Sequence, residues 1–70
     1  MEKYMAVYDV LIQPYEDAPE RESRNHEIVA ENEADAKKQA EVQRTNWLRN
    51  ELLPGSTVTL TRLFTIEDVL

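Results

Sequence analysis

Between Glu33 and Leu53 the chain runs without a single glycine or proline, with alanine at 34, 36 and 40, and then meets Leu52-Leu53-Pro54-Gly55. A stretch of this kind propagates as helix until the Pro-Gly pair stops it. A chain of 70 residues makes one small domain, near the lower limit for a single core without disulfides or metal. Asn32 is placed to cap the start, since its side chain can accept from the free amide at Asp35, and Glu33 and Asp35 suit the positive end of the helix dipole. Glu33 and Lys37 have the spacing of a favourable i,i+4 ion pair. The apolar seam is narrow: Ala36, Ala40 and Trp47 fall within about 40° of one another at roughly 100° per residue, with Leu48 and Leu52 to one side. Small residues early in the helix let its backbone approach a sheet, and Trp47 supplies bulk.

Three flanking segments read as strands. Lys3 to Gln13 is rich in β-branched and aromatic residues and is apolar on both parities except at Asp9, which suits a central strand. Asn25 to Glu31 alternates with one wet face, as an edge strand does. Ser56 to Ile66 alternates threonines at 57, 59, 61 and 65 with Val58, Leu60, Phe64 and Ile66. Arg62 breaks the apolar side, and so lies beyond the helix, snorkels past its edge, or marks a bulge. Between the first two strands, residues 14–24 carry Pro14, Pro19 and several charges without periodicity, and are expected to form a mobile acidic loop.

The expected fold is therefore a single small α+β domain over residues 1–70, of order β-β-α-β. Its three-stranded, mostly antiparallel sheet has strand order 2-1-3, with the one helix packed on one face. Under the helix are expected Tyr4, Ala6, Tyr8, Val10 and Ile12 with Ile28, Ala40, Trp47, Val58, Leu60 and Phe64. The other face then carries Met5, Val7, Leu11, Val29 and Leu63. A contiguous apolar set left uncovered suggests contact with something, and Met5, Val7, Leu11 and Leu63 are the candidates for a sheet-face or homodimer contact. The edge of the third strand is the other surface where a second copy is expected.

Charge is distributed as unevenly as hydropathy. Glu16 to Asp35 holds eight carboxylates against two arginines, a balance of −6 that equals the net charge of the whole chain. Such a concentration speaks to partners rather than to fold: it disfavours direct nucleic-acid or membrane contact and favours a protein with a basic surface. Glu16, Asp17, Glu20, Glu22, Glu27 and Glu31 are the candidate partner-binding residues. In size, charge and layout the chain resembles the small inhibitors that phages encode against host nucleic-acid enzymes or defence complexes. That resemblance implies mimicry of a phosphate backbone and assigns no role to any residue.

Chemistry of its own is not expected. His26 is the only histidine, its sequence neighbours point away from it on a strand, and no nucleophile pattern accompanies it. The acidic run lacks the alternating oxygen ligands and the glycine of a calcium loop, so no metal or cofactor is expected. Lys37, Lys38, Arg44 and Arg49 share one helix, but Glu41 and Glu51 dilute any basic stripe. With no cysteine and no long apolar run, the expectation is a soluble, cytoplasmic, non-enzymatic interaction protein. Two readings stand: an acidic lure for a basic groove, or a homodimeric structural or regulatory accessory protein that uses its open sheet face or an edge strand.

Overall fold

The computed structural model describes residues 1–13, 16 and 18–66. Strands β1 (Glu2–Ile12) and β2 (Glu20–Ala30) form a long antiparallel hairpin, helix α1 (Glu33–Asn50) follows, and β3 (Thr57–Thr65) closes the sheet. The order is β2-β1-β3, with β1 antiparallel to both neighbours. The α+β architecture, the strand order and the single helix are those the sequence predicts.

Local chemistry accounts for the helix ends. Asn32 is extended and accepts from the Asp35 amide at 2.9 Å, while the Ala36 amide reaches the Asn32 carbonyl at 3.0 Å. At the other end, the amides of Glu51 and Leu52 both reach the Trp47 carbonyl, and the helix stops at Asn50 rather than near Leu53. Leu53 to Ser56 then makes a tight turn. The Ser56 amide donates to the Leu53 carbonyl at 3.1 Å, Pro54 presets its own φ, and Gly55 sits at φ 91°, the geometry of a type II turn that asks for glycine at its third position. The Glu33–Lys37 pair does not form within ion-pair distance, so the cap rather than that pair anchors the first turn.

The core lies between the helix and the even-numbered side of β1. Tyr4, Ala6, Tyr8 and Val10 are buried with Ile28, Ala30, Ala36, Ala40 and Val58, and Ile12, Trp47, Leu48, Leu52, Leu60 and Leu63 pack around them. Tyr8 is fully buried; its hydroxyl donates to the Ala40 carbonyl at 2.8 Å and its ring meets Trp47 edge-on at 4.8 Å. The alanines at 36 and 40 allow that approach, as their spacing predicts.

Two expectations need correction. Residues 20–24 belong to β2, not to an acidic loop over 14–24: Glu20 pairs with Ile12 and Arg24 with Tyr8. Pairing with the equally long β1 supplies the backbone hydrogen bonds that the charged side chains gave no hint of. Of the rest of that stretch, Pro14, Tyr15 and Asp17 lie outside the described residues. The second correction concerns β3. Tyr8 pairs with Leu60 but Val7 with Arg62, so Thr61 is an extra residue, a β-bulge. Beyond it every side chain changes face. Leu63 opposite Ala6 packs on the helix side, and Phe64 opposite Met5 turns to the other side and is 40% exposed. Leu63 is therefore not an open-face residue, and Phe64 is not under the helix. Of the three explanations for Arg62, the bulge is the one observed.

Candidate interaction surfaces

The side of the sheet away from α1 has no element against it among the described residues. Down its centre run Lys3, Met5, Val7, Asp9 and Leu11, the odd-numbered residues of β1. Register places Val29, Glu27, Asn25, Ser23 and Arg21 beside them on β2, and Phe64, Arg62, Thr59 and Thr57 on β3. Met5, Val7 and Leu11 are half-buried by these neighbours, and Val29 and Phe64 stay exposed. Met5 and Phe64 are direct cross-strand partners and Val7 follows Met5 on the same face, so these three are contiguous, with Val29 diagonal to Met5, whereas Leu11 is set apart by Asp9, Ser23 and Thr59. Around it stand charges of both signs. Arg21 reaches Asp9 at 3.5 Å, Lys3 reaches Glu27 at 3.8 Å, and the Arg62 guanidinium lies 5.0 Å over the Phe64 ring. Sequence alternation alone missed Phe64. The signal that could have found it was Arg62, whose place on the apolar parity announces the shift.

The six candidate carboxylates do not share one surface. Glu20 and Glu22 project to the helix side of β2, Glu27 to the open side, Glu31 precedes the helix cap, and Glu16 is exposed between the strands. Asp17 lies outside the described residues. Glu22 is held by Arg24 at 2.8 Å, and Arg24 also reaches Glu51 at 3.4 Å while lying 5.3 Å over the Trp47 ring. Glu27 is bridged by Lys3. What the fold does gather is an acidic end. Glu2, paired with Ala30, lies beside the start of α1, where Glu31, Glu33 and Asp35 follow one another, and among the described residues no lysine or arginine forms an ion pair with any of the four. Tyr4 registers this: burial first, then its hydrogen bond to Glu2 and the charges of Glu2 and Glu33, raise its phenol above the usual range. Asp35 accepts from Gln39 at 3.2 Å, and the Glu31 amide points to it at 3.5 Å.

The two edges of the sheet are not equivalent. The Ile66 amide donates to the Lys3 carbonyl at 2.8 Å, and the Thr61 hydroxyl to the Val7 carbonyl at 3.0 Å, so the odd residues of β1 turn their backbone groups toward β3. By alternation the even ones face β2. The even residues of β2 consequently bond to β1, and Arg21, Ser23, Asn25, Glu27 and Val29 direct their N–H and C=O groups outward. Helix side chains cover one outward carbonyl on each edge: Gln39 donates to Val29 at 3.1 Å, and Arg44, itself bound to Glu41, donates to Val58 at 3.2 Å. The β3 edge is further deformed by its bulge. The β2 edge from Arg21 to Glu27 has no bulge, and among the described residues no side chain caps it.

His26 stands edge-on to Trp47 at 6.2 Å, a packing position. Among the described residues no three metal-ligating side chains cluster, and no helix is long and apolar enough to cross a membrane. The outer face of α1, with Lys37, Lys38, Val42 and Arg49 exposed, opens to solvent without enclosing a site. Comparison with protein-family models, curated proteins and solved structures gives no match to this chain.

Proposed function

We propose that the chain is a non-enzymatic interaction protein whose working surface is the open face of its sheet, and that its partner is a protein with an apolar patch of matching length. The observation that carries this reading is the bulge at Thr61, which brings Phe64 across to join Met5, Val7 and Val29 in one uncovered apolar set, with Leu11 further along the same face. Apolar contacts of this size contribute on the order of 1.5–3 kcal/mol per medium side chain fully covered. The charged rim of Lys3, Asp9, Arg21, Glu27 and Arg62 would set orientation rather than affinity. A cysteine-free chain with this surface suits a structural or regulatory accessory role in a reducing cytoplasm.

A second reading is supported by the acidic end. Glu2, Glu31, Glu33 and Asp35, without cationic partners of their own, could occupy a basic groove built for nucleic acid, and the chain would then act as an inhibitor of the kind phages produce. The wider carboxylate set of Glu16, Asp17, Glu20, Glu22 and Glu27 supports this less, because Glu22 and Glu27 already hold Arg24 and Lys3.

Salt and substitution separate the two. Capture from a lysate of the source cells, with the bound protein identified by mass spectrometry, should persist at high salt and vanish for the double variant M5K/F64K if the open face is the interface. Capture that disappears at high salt and in E31K/E33K, but survives in M5K/F64K, overturns the open-face reading in favour of the acidic one.

A further inference from the structure

We propose that two copies of the chain join antiparallel through their β2 edges, making one six-stranded sheet. This unbulged edge offers the outward backbone groups of Arg21, Ser23, Asn25 and Glu27, and it ends where Gln39 takes the Val29 carbonyl. These four residues pair completely with their symmetry mates when the dyad passes between the two copies of Arg24. Ser23 then lies opposite the partner's Asn25, and Arg21 opposite the partner's Glu27.

Charged residues on an edge strand ordinarily discourage pairing. Here their order is self-complementary when reversed. On the open face the existing bridges Asp9–Arg21 and Lys3–Glu27 become one line of alternating sign, from Asp9 and Arg21 to the partner's Glu27 and the partner's Lys3. On the helix side Glu22 lies opposite the partner's His26. The one like-charged meeting is Arg24 with the partner's Arg24, and each already carries two carboxylates, Glu22 at 2.8 Å and Glu51 at 3.4 Å. The same pattern works against strangers, since a neutral or uniformly charged strand would leave these groups unmatched. The β3 edge, bulged and capped by Arg44, offers no comparable row, so the second copy belongs on β2 rather than on the third strand. This inference is independent of what covers the open face.

Sedimentation equilibrium of the full chain at moderate salt tests it. The mass should climb with concentration from that of the 8.2 kDa chain toward twice that value. Asn25→Pro should hold the chain monomeric with its circular dichroism unchanged, because the Asn25 N–H faces outward and bonds nothing in β1. Arg21→Glu should weaken association several-fold, and exchanging the whole line of charges, K3E/D9R/R21E/E27R, which keeps the alternation of sign, should restore it. That charge exchange decides the matter even if the proline variant fails to fold. A wild-type chain that stays monomeric at high micromolar concentration, a dimer indifferent to Arg21→Glu, or one weakened by it and not rescued by the exchange overturns the proposal.

Discussion

Tyr8 ties the central strand to the helix at two places: it belongs to β1, its hydroxyl holds the Ala40 carbonyl of α1, and its ring supports Trp47 two turns further along the same helix. The Ala40 carbonyl keeps its helical partner when that hydroxyl is removed, so Tyr8→Phe deletes a bond without orphaning a buried acceptor. The cost should be about 1 kcal/mol, which thermal unfolding would show as a drop of about 4–8 °C in a domain of this size. Burial, with the Glu41 charge adding to it, pushes the Tyr8 phenol up to about 12. The folded value thus lies above the unfolded one of 10.0. The stability linked to this group is complete below pH 10 and is lost as pH rises through about 12. In an alkaline titration, the phenolate absorbance of Tyr8 should therefore appear together with loss of the circular dichroism of the fold. Ionisation of every tyrosine near pH 10 with the fold intact would contradict its buried placement.

At the scale of elements, the bulge in β3 makes a prediction that simple alternation reverses. Leu63→Ala should cost about 2 kcal/mol, the low end for a leucine in a core because this one is half-covered. Phe64→Ala should cost about 0.5–1 kcal/mol, mostly its contact with Arg62. Chemical denaturation of the two variants checks the order, and a larger loss at Phe64 would mean that β3 runs without its extra residue. The contrast also shows what a sequence can and cannot disclose. The cap at Asn32, the Pro54-Gly55 stop and the alanine seam were legible because each depends on residues within a few positions of one another. Strand order 2-1-3 was legible because Tyr4 to Ile12 is apolar on both parities. The faces of Leu63 and Phe64 were not, since one inserted residue inverts the pattern and only Arg62 hinted at it. Glu20 to Arg24 looked like loop because its ladder bonds come from β1, which no local pattern records. For the same reason the carboxylates, adjacent in sequence, were expected to form one surface, whereas a strand sends successive side chains to opposite faces.

For the whole molecule, the limiting quantity is area. Among the described residues, four of the nine buried ones are alanines, which close the helix onto the sheet but remove little apolar surface from water, so the isolated chain has a thin margin of stability. The open face is limited too. Two strands of eleven residues and one of nine give a three-stranded face of at most about 36 by 14 Å, roughly 500 Å², short of the ~800 Å² per partner that a specific interface usually buries. Pairing through β2 about a dyad normal to the sheet would leave both open faces on one side. The area offered to a partner would double to about 1,000 Å². Against this stands the repulsion between two chains of net charge −6, which weakens at a Debye length of about 10 Å in 0.1 M salt. Association should therefore strengthen as salt is raised from very low values, while the short-range pairs of the edge set register. Folding linked to association makes the midpoint of unfolding depend on concentration. Once the dimer is populated, each tenfold rise in protein should raise Tm by about 4 °C. Asn25→Pro should flatten that dependence while leaving the monomer's own transition in place. Calorimetry over two decades of concentration reads both effects, and a wild-type Tm that does not move would mean that the thin core stands alone and each open face must meet its partner singly.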